Sequence, residues 1–204
     1  MVNMPNLDDF HKLLKAHFQI DGKYKVDDKG IVNVQGDVLL TSKLDQIPIP
    51  FGEVSGDFIC ERNLLTTLQN SPRRVLGSFN CEYNQLTSLE GAPQEVGWSF
   101  ACSYNHLTHL KGAPHSVEFE FSCANNPLVS LEGAPDMVAE TFICSYDRHL
   151  PVLRLINYSY VDFANYAPPE VTDILKKYSG EGKAGALRAA AELVKSGFKE
   201  NARW

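Results

Sequence analysis

Five cysteines are the residues of this 204-residue chain that most invite chemistry, and they recur at a constant interval of 21 residues. They are Cys60, Cys81, Cys102, Cys123 and Cys144. A thiol can act as a nucleophile, bind a metal ion or form a disulfide. An odd count argues against a disulfide framework, and the chain has no Cys-x-x-Cys pair of the metal-binding kind. Because free cysteine packs as a small hydrophobe, the regular interval predicts buried structural thiols.

Three histidines are the second candidate for chemistry, because imidazole is a common metal ligand. His106, His109 and His115 fall within a single repeat of the chain. The equivalent positions in the two adjacent repeats add one carboxylate, Asp136, and otherwise no strong ligand. A metal site needs a fuller set of ligands than this. We therefore predict solvated surface histidines and no metal site.

The glycine-rich run "GEGKAG", which begins at Gly180, is the third candidate, because glycines before a helix can present backbone N–H groups to a phosphate. The run lacks the spacing of a phosphate-binding loop and no core strand clearly precedes it, so we predict a turn between two helices. No Ser–His–Asp set or carboxylate pair can be singled out either. The sequence therefore favours a protein that is not an enzyme and has no cofactor.

The cysteines belong to a repeat in which other residue types keep the same interval. Phenylalanine stands two residues before each cysteine, at Phe58, Phe79, Phe100, Phe121 and Phe142. Valine precedes each cysteine by six residues, and asparagine, two leucines and a proline follow the first four at fixed distances. A period of this length is the signature of a solenoid, whose single coils cannot bury an apolar face alone. We predict about six repeats of 20–21 residues, the first of them with Leu40 in place of cysteine.

Each part of the repeat predicts one part of a coil. Phe-x-Cys has the period of a strand with both side chains on one face, so the fold is mainly β with parallel strands. The asparagine suits the bend that follows, where a column of buried amides would form a ladder. Leu-x-x-Leu then returns to the core, and Gly-Ala-Pro turns the chain back as an extended arm.

The run Phe-x-Cys-x-x-Asn-x-Leu-x-x-Leu resembles the leucine-rich repeat of the short bacterial type. The sequence segments "LTSLEGAP", "VSGDFIC" and "GSFNC" are similar to those of leucine-rich-repeat-like proteins of tailed bacteriophages. This resemblance covers roughly residues 31 to 155. The closing run from Tyr178 resembles the tail of such proteins. The resemblance implies a right-handed coil and brings no defined activity. Related bacterial effectors can carry a ubiquitin-ligase domain with a nucleophilic cysteine, but every cysteine here lies in the repeat.

The segments on either side of the repeats are predicted to form caps, with α-helices at both ends. We divide the chain into a helix and hairpin cap at 1–33, the solenoid at 34–155 and a helical cap at 156–204. Pro5 and Asp8 lie near the start of the first helix. Its apolar face and the turn of the hairpin are predicted at Phe10, Leu13, Leu14 and Phe18, and at Asp28-Lys29-Gly30.

Two further helices are expected near the C-terminus. The first follows Pro168-Pro169 and ends at about Tyr178, and the second runs from about Lys183 to Ser196, where Gly197 ends it. The residues expected to pack the second helix onto the last coil are Leu187, Leu193, Val194 and Phe198.

The net charge of −6 is unevenly distributed. Residues 171–204 hold seven basic and four acidic residues, a charge of +3, which leaves −9 on the remainder. Repeats this acidic argue against nucleic-acid binding in general. No apolar run approaches the ~20 residues that cross a bilayer, and the start lacks the layout of a signal peptide. We therefore expect a cytoplasmic protein that does not engage a membrane.

Residues on the outer side of the predicted strands form the surface that a partner could reach. Large aromatic residues stand four residues before and two residues after the cysteines, and acidic residues stand directly after two of them. Trp, Tyr and Arg dominate the energetics of protein interfaces. The predicted binding residues are Trp98, Phe119, Tyr83, Tyr104, Tyr146, Glu61 and Glu82. Two alternatives are a stacking ladder that stabilises the solenoid and, for Trp98 and Phe119, a docking face for a cap.

The sequence thus predicts a non-enzymatic protein-protein interaction module. The resemblance to phage proteins implies an accessory protein that binds and modulates or inhibits a host protein, such as a host defence factor. One alternative is a structural component of a virion or of its assembly. A second alternative is nucleic-acid binding through the basic C-terminal tail.

Overall fold

The computed structural model describes residues 7–203, and for Leu7 it describes the backbone alone. This part of the chain folds as a parallel-strand β-solenoid of about six turns together with three helices. The parallel solenoid that the repeat predicts is therefore confirmed. Pro5 lies outside the described residues.

Helix α1 (Leu7–His17) leads directly into an antiparallel hairpin of strands β1 (Phe18–Val26) and β2 (Val32–Leu40). Phe10 and Leu14 are buried from α1, whereas Phe18 already belongs to β1. The hairpin turn is held by Asp27, whose side chain accepts hydrogen bonds from the N–H groups of Lys29 and Ile31. The predicted hairpin is thus present.

The five coils between residues 51 and 144 each contain two short strands with a bend between them, where the sequence predicted a single strand. One set lines up the valines as β3 (Phe51–Val54), β5 (Arg74–Val75), β7 (Glu95–Val96), β9 (Ser116–Val117) and β11 (Met137–Val138). We call this set the valine ladder. The other set, the phenylalanine ladder, is β4 (Phe58–Ile59), β6 (Phe79–Asn80), β8 (Phe100–Ala101), β10 (Glu120–Ser122), β12 (Thr141–Cys144) and β13 (Tyr160–Phe163). The nine-residue strand β2 pairs with β3 and β4 and so joins the two ladders.

Strand β13 extends the phenylalanine ladder beyond the predicted repeats. It pairs in parallel with β12, with Asp162 opposite Ile143 and Phe163 opposite Cys144. A short 3-10 helix (Leu153–Asn157) precedes it, and Tyr158 stacks on Phe142 at a centroid distance of 4.5 Å. The aromatic column of the core therefore continues for one further step with a tyrosine.

The core is a set of columns that repeat from coil to coil. The phenylalanines are fully buried and stack with centroid distances between 5.2 and 5.7 Å. The cysteines are free and buried beside them, as predicted. Burial raises the pKa of every cysteine thiol, so these groups stay protonated in the folded protein. A protonated buried thiol is a poor nucleophile, which leaves the cysteines a packing role.

The predicted asparagine ladder is present at the bend after the phenylalanine ladder. The side-chain oxygens of Asn63, Asn84, Asn105 and Asn126 each accept a hydrogen bond from a backbone N–H of the preceding coil, at 2.8–3.0 Å. The amide of Asn105 also donates to the carbonyls of Cys81 and Cys102 at 3.0 and 3.1 Å. One buried side chain therefore satisfies backbone groups of two coils.

Replacing Asn105 by alanine should lower the free energy of unfolding by about 3 kcal/mol, because each buried backbone group left without a partner costs about 1–3 kcal/mol. Asn126→Ala removes the same pattern of bonds at a partly exposed site and should cost less. Asn157→Ala is the control, since Asn157 is exposed. Urea denaturation checks the order, and equal losses for Asn105→Ala and Asn157→Ala would contradict it.

Helices α2 (Pro169–Tyr178) and α3 (Gly182–Lys195) follow the last coil, close to the predicted ranges. The prediction for the packing face of α3 is wrong at two positions, because Leu187 and Val194 are 61% and 52% exposed. The helix packs instead through Leu193 and the small residues Gly185, Ala186 and Ala189. Small residues allow a close approach, which turns the larger aliphatic residues at Leu187 and Val194 outward.

Asn201 closes the last coil in place of a repeat asparagine. Its side chain, almost fully buried, donates to the carbonyls of Asp147 and Leu150 and accepts a hydrogen bond from the hydroxyl of Tyr146. Asp147 occupies the asparagine column of this coil and has no amide to donate. A residue 54 positions away in the chain therefore supplies the missing donor.

None of the helices in residues 7–203 is long and apolar enough to cross a bilayer.

Candidate functional site

The candidate site is the outer face of the phenylalanine ladder, where side chains alternate with the buried phenylalanines and cysteines. Its middle is a floor of small residues, Ala101, Ser103, Ser122 and Ala124. Ser103 is only 2% exposed, and its hydroxyl lies 2.8 Å from that of Ser122. The columns on either side of these small residues, four positions before and two positions after the cysteines, hold larger side chains. We call this surface the trough.

One wall of the trough is an aromatic pair in the bend between the two ladders. The backbone N–H of Phe119 donates to the carbonyl of Trp98, so the two residues are stacked on neighbouring coils. Their ring centroids are 5.5 Å apart and the rings are tilted by 39°. Trp98 remains 60% exposed and Phe119 45% exposed. The described helices therefore do not cover this pair.

The equivalent positions of the two preceding coils are Gly56 and Gly77, and there the fold excludes a side chain. A Cβ at either glycine would collide with the carboxylate of Asp37 or Asp57 and with the backbone of the preceding glycine. Those carboxylates accept hydrogen bonds from the N–H groups of Asp57 and Ser78, at 2.8 and 2.7 Å. We call this arrangement the aspartate bridge. It ends at Ser78, which stands in the aspartate column of the next coil, and the aromatic residues begin one coil later at Trp98.

The opposite wall is a stack of planar groups two residues after the cysteines. The guanidinium of Arg62 lies 4.3 Å from the ring centroid of Tyr83, and the rings of Tyr83 and Tyr104 stack at 4.2 Å. The hydroxyl of Tyr104 raises the pKa of Tyr83. Both tyrosines remain more than a third exposed. The predicted stacking ladder is therefore present, and it also forms an accessible aromatic surface.

The backbone beneath this stack is strained in the same way in each coil. Arg62, Tyr83, Tyr104 and Asn125 have φ angles of 52–57°, in the left-handed region that favours glycine and asparagine. A bulky residue there costs about 1–2 kcal/mol. Tyrosine stands at two of these positions although the backbone there favours glycine or asparagine. The contacts of the side chain, and not the backbone, therefore decide which residue is found there.

Carboxylates lie along the face and around its ends. Glu61 accepts a hydrogen bond from the amide of Asn80 at 3.0 Å, and Glu82 follows in the next coil. Burial, and then the charges of Glu82 and Asp162, raise the pKa of Glu120. The negative charges of Glu82 and Asp162 therefore reach Glu120 from other coils of the same face. The surface is therefore negatively charged.

Tyr146 is the predicted site residue that the structure places apart from the others. It packs edge-on against Phe163 at 5.7 Å, and its hydroxyl donates to Asn201. Burial raises its pKa. This tyrosine holds the C-terminal segment, whereas Trp98, Phe119, Tyr83, Tyr104, Glu61 and Glu82 border the trough.

Sequence reasoning left two acidic residues of this surface out of the predicted binding residues. Glu120 stands in a column that the repeat already predicts to face outward. Asp162 belongs to β13, whose sequence has no Phe-x-Cys signature. Its position could be found only once the extra strand was known.

The other candidates for chemistry do not assemble into a site. His115 lies 4.0 Å from Asp136, and the ring of His109 accepts the N–H of Lys111. Within residues 7–203 no three His, Cys, Asp or Glu side chains are placed to hold a metal ion. The run "GEGKAG" begins in the turn after α2 and continues into α3 from Gly182, and the N–H of Gly180 donates to the carbonyl of Ile156.

A cavity of about 290 Å³ lies between β13 and α2, lined by Tyr158, Val161 and Leu175 among others. The residues of the trough, in contrast, form an open and shallow surface with aromatic walls. Such a surface can bind a partner by contact and charge. No protein-family model, curated protein or solved structure matches this chain.

Proposed function

We propose that the chain is a non-enzymatic protein-binding module that captures its partner in the trough, with Trp98 and Phe119 as anchors. The observation that carries this proposal is the exposure of two large aromatic rings, side by side on a repetitive scaffold. Contiguous exposed apolar surface on a protein often marks a partner site. Aromatic anchors contribute most of the affinity in interfaces of this kind.

The finer identity of the scaffold belongs to the same proposal. A right-handed, leucine-rich-repeat-like coil is supported by the Phe-x-Cys-x-x-Asn-x-Leu-x-x-Leu run, and a capping role is supported by the helices at either end. The role of a phage accessory protein that inhibits a host factor, such as one in defence, is supported only by the resemblance of the repeat sequences to phage proteins. A cytoplasmic location is supported by five unpaired thiols, which persist in reducing compartments.

The double substitution Trp98→Ser, Phe119→Ser should reduce partner binding about thirtyfold, because loss of such an anchor commonly costs about 2 kcal/mol or more. The melting temperature should barely move, since both rings lie outside the core. Affinity capture from bacterial lysate, with and without phage proteins, identifies the partner, and titration with the purified partner measures the loss.

Leu187→Ser, Val194→Ser is the matched control, because it also removes two exposed apolar side chains, on α3. A partner that binds the aromatic variant at full strength would contradict the proposed function. Capture of a virion protein would favour the structural alternative, and capture of nucleic acid that is lost at high salt would favour the basic tail.

A further inference from the structure

Within the part of the chain that the structure describes, the glutamates that neighbour the exposed aromatic pair are not matched by cationic side chains. Glu118 and Glu120 flank Phe119 in sequence, and the N–H of Glu140 donates to the carbonyl of Phe119 from the next coil. None of these three glutamates forms an ion pair with any residue in 7–203. Phe119 therefore has two glutamate neighbours along the chain and a third in the next coil.

The valine ladder shows a different arrangement of charge on the same scaffold. There Arg74 lies between Glu53 and Glu95, at 3.4 and 2.8 Å, so that the charges alternate in sign along three neighbouring coils. The repeat can thus place an arginine between two glutamates of neighbouring coils. Around Phe119, in contrast, no arginine of residues 7–203 lies between the glutamates.

The protein itself shows how a cation fits the aromatic walls. Arg62 lies over Tyr83, as an arginine does over an aromatic face in cation–π contacts. Among residues 7–203, no lysine or arginine lies over Tyr104, Trp98 or Phe119 in the same way. As far as residues 7–203 show, both walls therefore offer exposed aromatic rings without a cation over them, and the neighbouring glutamates Glu118, Glu120 and Glu140 form no ion pair.

We propose that the trough recognises a protein segment that carries arginine or lysine side chains. The cationic groups lie over Trp98, Phe119 and Tyr104 and pair with Glu118, Glu120 and Glu140. This inference rests on the proposed function and adds the chemical class of the partner. A nucleic-acid backbone is a poor occupant of the same surface, because its phosphates would meet these carboxylates.

Short synthetic peptides that alternate serine with arginine, glutamate or leucine test the charge of the occupant. Calorimetric titration should show binding of the arginine peptide, weakened by added salt, and no binding of the glutamate peptide. The triple variant Glu118→Gln, Glu120→Gln, Glu140→Gln should bind the arginine peptide roughly tenfold less tightly, since exposed ion pairs contribute modestly but three are lost together. Trp98→Ser, Phe119→Ser should weaken it as well.

A matched control neutralises three exposed carboxylates elsewhere, by Asp28→Asn, Glu170→Gln and Asp173→Asn. An equal loss in this control would assign the binding to net charge and overturn the inference, as would the absence of any arginine-peptide binding. The leucine peptide could bind instead, with an affinity that the triple variant keeps and the aromatic variant loses. That result would overturn the cationic occupant and leave the proposed function standing. A natural partner that binds the aromatic variant unchanged would instead remove the proposed function.

Discussion

Raising the pH from about 7.5 to about 9.5 should lower the free energy of unfolding by about 5–7 kcal/mol. In the unfolded chain the thiols ionise near about pH 8.5. In the folded protein burial raises the pKa of all five, that of Cys144 to about 12, with the charge of Asp162 as a further cause. Above the unfolded pKa the folded state therefore holds more protons, and its stability falls as the pH rises. At one pH unit above the unfolded pKa, each thiol accounts for about 1 kcal/mol of this loss of stability.

Urea denaturation under reducing conditions at the two pH values measures this loss. The control is Cys81→Ala, which leaves four titrating thiols and should lose about 1 kcal/mol less over the same range, whatever its stability at neutral pH. Thiol titration should find few reactive groups in the native protein and five after denaturation. Thiolate absorption from the native protein at alkaline pH would contradict the prediction.

The repeat columns could be predicted from the sequence because each is fixed by one local requirement. The cysteine slot is buried beside a phenylalanine, and the asparagine must both donate and accept at a buried bend. These requirements recur in every regular coil, so the interval alone locates them. The second strand of each coil was missed because a single buried valine with its neighbour carries no period-2 pattern.

The parts that could not be predicted depend on contacts between segments far apart in the chain. Asn201 completes the last coil, and the small face of α3 packs where Leu187 and Val194 were expected. Helical periodicity identifies both faces of α3 but not which of them meets the solenoid.

The site was partly predictable for the same reason. The columns that hold Trp98 and Phe119 could be identified from the interval, but their exposure could not, because it depends on where the helices lie. Glycine at two other positions of that column indicates only that the fold does not require a large side chain there. At Gly56 and Gly77 the fold in fact excludes a side chain. The aromatic residues are therefore confined to the coils without the aspartate bridge.

Replacing Phe100 by alanine should lower the free energy of unfolding by about 3–5 kcal/mol, because the change removes a fully buried ring from the centre of the stack. The ring lies between Phe79 and Phe121, at centroid distances of 5.3 and 5.4 Å. Neighbouring coils are held in place by contact with each other, so a cavity here also loosens the coils on both sides. Urea denaturation with circular dichroism measures the loss.

Phe119→Ala is the matched control for this change, because it deletes the same atoms from an exposed ring and should cost less than about 1 kcal/mol. Phe100→Leu separates volume from stacking. Leucine refills most of the cavity but cannot stack, and aromatic pairs contribute about 0.5–1.5 kcal/mol beyond the area they bury. The leucine variant should therefore recover more than half of the stability that alanine loses, yet remain below the wild type. Equal losses for Phe100→Ala and Phe119→Ala would mean that the phenylalanine column does not hold the solenoid together.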